Sequence, residues 1–257
     1  VLALEGVGVL ITRPVHQAAP LSRLFEAEGA AVTRFPALDI RPLTRLGDAG
    51  LGGLGRFDLI VFASANAVRH GADLLDQQRD LPLAAIGPAT ARALNQAGYR
   101  VSVQPAAGFD SESLLAHPRL VSVAGHRVLL IKGQGGRELL ERELERRGAE
   151  LTRVEVYRRE CPSPSAEELS ALESRFERRE IQLITVTSAE IGNNLLALAT
   201  PALRRHFAAV HWLLPSARVG DSLRQGGLHA PTLKAASAED QDLVSAAIRW
   251  RSSVSGA

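Results

Sequence analysis

The sequence predicts an α/β protein with parallel sheets, divided into two similar lobes. Three features of the chain point that way. Short apolar runs of β type alternate with amphipathic stretches of helical period, the pattern of parallel sheets. One strand–turn–helix–strand unit occurs twice. Each apolar run ends in a glycine or small polar turn that opens a helix, the place where ligands of open α/β sheets bind.

The 257 residues leave room for one large α/β domain or two of ordinary size. With 46% hydrophobic and 23% charged residues, the chain falls with soluble globular proteins, away from disordered or fibrous ones. No run of about 18 apolar residues occurs, so no membrane span is expected. The opening VLALEGVGVLITRP has neither a basic n-region nor a small-residue cleavage site; no signal peptide is expected, and the cytoplasm is the expected location. The single cysteine, Cys161, excludes an internal disulfide and offers no metal cluster. Of the 30 basic residues only Lys132 and Lys234 are lysines. Arginine suits carboxylate or phosphate recognition, and genome composition produces the same bias. The net charge is only +2, and the arginines alternate with acids in ERELERR and ESRFERRE. That is the pattern of solvated helix faces, so no nucleic-acid partner is expected.

In chain order, an apolar strand over 7–11 stops at Thr12-Arg13-Pro14. A helix with Leu21, Leu24 and Phe25 inward ends at Gly29, and a strand follows near 31–35. The glycine-rich stretch 47–55 reads as a surface turn region or a fraying helix between units. A strand over 58–63 leads into Ser64-Ala65-Asn66 and a helix through Leu75. A strand over 83–86 turns through Gly87-Pro88-Ala89-Thr90 into a helix ending at Gly98, and 101–104 is a short strand. Asp110-Ser111-Glu112-Ser113 reads as a capped helix start. A strand over 128–131, a glycine turn over 132–136, an amphipathic helix stopped by Gly148 and a strand over 151–157 form the central unit. The remaining elements are a Pro/Ser linker at 161–165, a helix over 166–179, a strand over 182–186, a helix around 193–198, a strand over 211–214, a helix ending near Gly227, a strand near 231–235 and a last helix over 239–250.

The duplication shows as fixed offsets. Arg13, Gly29, Ala30, Thr33 and Arg34 recur as Lys132, Gly148, Ala149, Thr152 and Arg153, each 119 residues on. Ser64-Ala65 recurs as Ser188-Ala189, and Leu94, Gly98 and Leu114 recur as Leu223, Gly227 and Leu243. Two copies of one α/β unit predict two lobes whose strand ends face a cleft. The turns following the strands contain Thr12-Arg13, Ser64-Ala65-Asn66, Gly87–Thr90, Lys132 to Arg137, Ser188-Ala189-Glu190 and Ser216-Ala217-Arg218. Free N–H groups at helix starts suit anionic groups. Two readings stand for each turn: a helix cap, or one part of a site for an acidic small molecule.

These residues resemble the uroporphyrinogen-III synthase family over nearly the whole chain. The resemblance rests on LITRP, FASANAV, AIGPATARALNQAGY, DSESLL, RVLLIKGQGGRELLERELERRGAELTRVEVYRR, LLPSARVGDSLRQGGL and ASAEDQDLV, in that order and spacing. It implies two flavodoxin-like or Rossmann-like lobes joined by a two-stranded linker, with the substrate cleft between them. The lobes would be 1–36 plus 163–257, discontinuous, and 43–155, inserted, with linker strands at 37–42 and 156–162. The implied reaction closes hydroxymethylbilane into uroporphyrinogen III, with loss of water and inversion of ring D, in tetrapyrrole (haem, sirohaem, cobalamin) biosynthesis. The resemblance implies no cofactor or metal, a monomer, and a transient contact with hydroxymethylbilane synthase.

Tyr157 matches the family's tyrosine proposed to assist departure of the hydroxyl. Alternation along 151–157 is expected to put Val154 and Val156 on the sheet-packing side and Glu155 and Tyr157 on the other, or at the strand exit. An interface tyrosine at the hinge is the other reading. The substrate's eight carboxylates would be held by Thr12, Arg13, Ser64, Asn66, Thr90, Ser111, Ser113, Lys132, Gly133, Arg137, Ser188, Ser216 and Arg218, together with turn amides. The turn Pro215 to Val219 departs from the Gly-Pro-Thr-Thr type of relatives, so no threonine role is carried onto Val219.

Two rivals remain on the sequence. A dinucleotide enzyme needs G-x-G-x-x-G; Gly133 and Gly135 fit, but position 138 is Glu, although Glu155 lies about 20 residues on, where a ribose acid would be. A non-catalytic two-lobed protein that binds an acidic small molecule is the second. No Ser-His-Asp or metal-ligand spacing appears, and the seven histidines are dispersed.

Overall fold

A computed structural model describes residues 2–43, 53–76, 78, 80–106, 108, 110–136 and 138–255. The elements run β1 (Gly8–Ile11), α1 (Val15–Ala27), β2 (Ala31–Arg34), β3 (Asp39–Pro42), β4 (Leu59–Phe62), α2 (Ala65–Gly71), β5 (Leu83–Ala85), α3 (Pro88–Gln96), β6 (Val101–Val103), α4 (Ser111–Leu115), α5 (Pro118–Val121), β7 (Arg127–Gly133), α6 (Leu139–Arg146) and β8 (Glu150–Glu160). They continue with α7 (Ala166–Glu177), β9 (Leu183–Thr185), α8 (Ala189–Leu198), α9 (Pro201–Ala209), β10 (His211–Leu214), α10 (Ala217–Gln225), β11 (Thr232–Lys234) and α11 (Asp240–Ser255). The chain divides into two units: Val1–Asp39 with Glu160–Ala257, and Ile40–Arg159.

Unit 1 holds a parallel sheet in the order β2-β1-β9-β10-β11. Unit 2 repeats it as β8-β7-β4-β5-β6, also parallel, with β3 beside β8. The repeated strand–helix–strand unit is therefore β1-α1-β2 in one sheet and β7-α6-β8 at the same place in the other. In sequence the chain reads as first part, second part, first part again, second part again. Each unit takes one part from each copy: the first part with the last in unit 1, the two middle parts in unit 2.

The inner strands lie buried on both faces, as parallel sheets covered by helices require. Val9, Leu10 and Ile11 in β1, and Ile60, Val61 and Phe62 in β4, have no exposed surface. α6 presents Leu140 and Leu144 to the unit 2 core, buries Glu141 beside them and turns Arg142, Glu145 and Arg146 to solvent. Its Arg147 spans Glu143 and the carbonyls of Leu115 and Leu120. Hydrogen bonds from Arg146 and Arg147 pull the Glu143 carboxyl down to about 2.

Gly29 and Gly148, paired by the duplication, both end their helices with positive φ (+87° and +84°). In each case the glycine N–H and the next N–H bond back to the last turn, Ala30 N to Phe25 O and Ala149 N to Leu144 O. α7 ends the same way on a non-glycine residue, Arg179 at φ +55°, so the helix expected over 166–179 stops at Glu177. The capped starts α5 and α9, each opening on proline, are absent from the sequence reading. Of the predicted turn region 47–55, positions up to 52 lie outside the described residues; Leu54–Arg56 forms a 3-10 turn. Among the described residues no helix is long and apolar enough to cross a membrane.

Candidate active site

In each sheet the chain runs outward in opposite directions from two central strands, β1 and β9 in unit 1, β7 and β4 in unit 2. The carboxyl ends of such strands form the crevice where open α/β sheets take ligands. In unit 2 these ends are Phe62-Ala63-Ser64 and Ile131-Lys132-Gly133. A cavity of about 230 Å³ opens there, lined by Ser111, Lys132, Gly133, Gly135, Gly136, Glu141, Tyr157 and Arg159 among others.

Tyr157 reaches this cavity because β8 is irregular. The β7–β8 pairing runs in step to Lys132↔Glu155 and then jumps to Gly133↔Tyr157, which leaves Val156 as an extra residue. The expected alternation is therefore corrected: Val156 is fully buried, Tyr157 is 4% exposed, and the two consecutive side chains pack in one core cluster with Val154 against it. The expected glycine turn over 132–136 is likewise shorter, since Lys132 and Gly133 belong to β7.

Three contacts fix the tyrosine. Its hydroxyl lies 3.1 Å from Ser64 Oγ, and its ring centroid is 6.0 Å from that of His70. Gly133 backs the ring so closely that a Cβ there would stand 2.4 Å from Tyr157 Cζ. Gln134 N–H donates to the Tyr157 carbonyl at 2.7 Å, and the chain then turns through Gly135 and Gly136, both at positive φ. Gly133→Ala is expected to push the ring out of place and to destabilise unit 2 by about 1–3 kcal/mol, the usual cost of overpacking; calorimetry checks this.

Lys132 donates to Glu141 Oε1 at 2.6 Å, with side-chain exposures of 11% and 7%. Arg153 Nε stands 3.7 Å from the same carboxylate oxygen. The ammonium is thus balanced within the protein. Arg159, exposed and lining the cavity, passes Gly136 with its guanidinium.

The other predicted residues divide by unit. In unit 2, Ser64 caps α2 and Asn66 lies in its first turn. Thr90 is buried in the first turn of α3. Ser111 opens α4 and lines the cavity. Ser113 is committed to the Asp110 cap through its N–H and its hydroxyl, and Arg137 lies outside the described residues. In unit 1, Thr12 is fully buried and donates to Thr185 O at 2.5 Å. Arg13 is engaged by the Asp240 carboxylate and the Ala238 carbonyl. Ser188 and Ser216 cap α8 and α10, and Arg218 is exposed on the first turn of α10. The structure brings Ser64, Ser111, Lys132, Gly133 and Tyr157 together. Glu141 and Arg159 were missed; the Tyr-Arg-Arg run at the end of β8 was the available signal for Arg159, whereas nothing local marks Glu141 as the partner of Lys132.

Fold and cavity together define a duplicated, flavodoxin-like α/β protein with a buried tyrosine lining a cavity at the carboxyl ends of the central strands of unit 2. A profile of the family described as uroporphyrinogen-III synthase HemD matches residues 19–244. The uroporphyrinogen-III synthase of Escherichia coli (strain K12) is 35% identical over 218 residues, covering 81% of this chain and 84% of that protein. That of Synechococcus elongatus is 33% identical over 206 residues, covering 76% and 75%. The chain belongs to the uroporphyrinogen-III synthase family. Two solved structures share the fold. A mutant uroporphyrinogen III synthase from the extremely thermophilic bacterium Thermus thermophilus has a TM-score of 0.61 at 23% identity, covering 98% of this chain and 100% of that one. The uroporphyrinogen-III synthetase from Helicobacter pylori also gives 0.61, at 15% identity, with coverages of 95% and 99%.

Proposed function

We propose that the chain closes hydroxymethylbilane into uroporphyrinogen III, and that Tyr157 supplies the proton to the departing hydroxyl. Family membership supports the reaction and does not favour the non-catalytic binding protein. The observation that supports the residue is a phenol hydroxyl fixed at a cavity, at the carboxyl ends of the central strands. The proton moves from Tyr157 Oη to the hydroxymethyl oxygen as its C–O bond breaks. Water leaves, and the pyrrole nitrogen's electrons stabilise the azafulvene cation. Attack by the last pyrrole gives the spiro intermediate, whose fragmentation and reclosure invert that ring. The carbon that forms the final bond loses a proton, which restores Tyr157. Atoms and electrons balance without an oxidant or reductant.

Substrate carboxylates are held by Arg159, Ser111 and the amides around Gly135. Arg13 and Lys132, each already paired, act as supports of their turns. The lobes are 1–36 with 163–257 and 43–155, joined by 37–42 and 156–162. The enzyme works as a cytoplasmic monomer and takes its unstable substrate from hydroxymethylbilane synthase by transient contact. Supplying hydroxymethylbilane and separating the product isomers tests the activity. The type III isomer is expected; formation of the spontaneous type I isomer alone would defeat it.

A further inference from the structure

We propose that Ser64 is a positioning residue that aims the phenolic proton of Tyr157 into the cavity, an inference that rests on Tyr157 being the proton donor. Ser64 stands at the end of β4 with extended backbone, and its Oγ accepts the Ala67 N–H at 2.9 Å as the cap of α2. A serine hydroxyl has one proton and two acceptor sites. The capping bond occupies one acceptor site, and the other neighbour of Oγ is Tyr157 Oη at 3.1 Å. If the phenol donated to Ser64, its proton would be turned to a residue that does not line the cavity, away from any ligand there. If Ser64 donates to the phenol, the Tyr157 proton is left to point at the cavity, which Tyr157 lines and Ser64 does not.

The second arrangement makes one directed series: Ala67 N–H to Ser64, Ser64 O–H to Tyr157, Tyr157 O–H to the leaving oxygen. It also favours the transfer itself. As Tyr157 gives up its proton the oxygen gains charge, and the bond from Ser64 becomes charge-assisted and stronger. Gly133 behind the ring prevents the phenol from backing away from its partner. The duplication supplies an internal contrast. Ser188, the counterpart of Ser64, makes the same capping bond to Ile191 N–H, and among the described residues no tyrosine hydroxyl stands beside it. Ser64 has thus been assigned a second bond that capping does not need.

The test compares Ser64→Ala and Ser64→Thr, each with Tyr157 and with Tyr157→Phe. Ser64→Ala is expected to lower kcat about tenfold, the worth of one such hydrogen bond, with KM nearly unchanged. Ser64→Thr, which keeps both bonds, is expected to restore most of the rate. In the Tyr157→Phe background Ser64→Ala should change kcat by less than about twofold, because the two groups act as a unit. Equal losses in both backgrounds would overturn the inference and leave Ser64 a helix cap. The chain has only two tyrosines, Tyr99 and Tyr157. In a Tyr99→Phe protein the tyrosine Fermi doublet in ultraviolet resonance Raman therefore reports on Tyr157 alone and separates an accepting phenol from a donating one. An accepting signature that Ser64→Ala abolishes is expected. A doublet that Ser64→Ala leaves unmoved, beside a large Tyr157→Phe loss, overturns the Ser64 assignment alone. A doublet that moves, with Tyr157→Phe fully active, overturns the donor reading and the Ser64 role in catalysis with it.

Discussion

Tyr157→Phe is expected to lower kcat by about 10²–10⁴-fold, the usual worth of a general acid, with the fold intact. Phenylalanine keeps the ring that packs on Gly133 in the unit 2 core cluster, so the core loses almost no volume. The structural loss is the bond to Ser64, worth about 1 kcal/mol. KM should hardly move, because the proton is needed only as the C–O bond breaks and not while the substrate binds. Initial rates of type III isomer formation, beside a denaturation curve, decide the matter. A fall smaller than about tenfold would reduce Tyr157 to a residue that shapes the cavity.

Lys132→Met is expected to destabilise the protein by ~3–5 kcal/mol, the cost of leaving a buried partner uncompensated. Glu141 would be left at 7% exposure with Arg153 at 3.7 Å as its nearest cation, which sets the loss towards the lower end. Against a total stability of about 5–15 kcal/mol this is a large share. Lys132→Met combined with Glu141→Leu removes both charges and should regain most of the loss, since apolar replacements of a buried pair are often near neutral. Urea midpoints of the two variants give the comparison. The double variant also separates support from binding. If the pair only holds the turn, its KM stays within a few-fold of the parent; a large rise in KM would mean that Lys132 grips a substrate carboxylate directly.

The strands and their punctuation were legible because they rest on local rules. The buried runs of β1, β4 and β7 and the left-handed glycines at 29, 98, 148 and 227 follow from side-chain size and backbone freedom alone. The repeat offsets marked equivalent turns in the two copies. Which part of each copy joins which sheet depends on strand pairing at long range, and no offset encodes that. At the cavity, Tyr157 was legible as a strand-end residue, whereas its packing beside Val156 was not. A period of two predicts opposite faces for neighbours, and one extra residue at Val156 breaks the period. The partners of Arg13 and Lys132 were hidden for a similar reason: Asp240 is 227 positions away from Arg13, and Glu141 is one acid among many in ERELERR. Arg179 takes a left-handed turn usually left to glycine, so the end of α7 was overshot.

The interleaving of the two copies sets an order in time when the chain is made. β1-α1-β2 leaves the ribosome well before its sheet neighbours β9, β10 and β11, which lie beyond residue 182. At about 5–20 residues per second, the opening 39 residues wait on the order of 10–40 s for the strands that cover β1. Unit 2, continuous from Ile40 to Arg159, can close during that interval. Unit 2 can thus be complete while β1, still without β9, has Val9 and Ile11 uncovered.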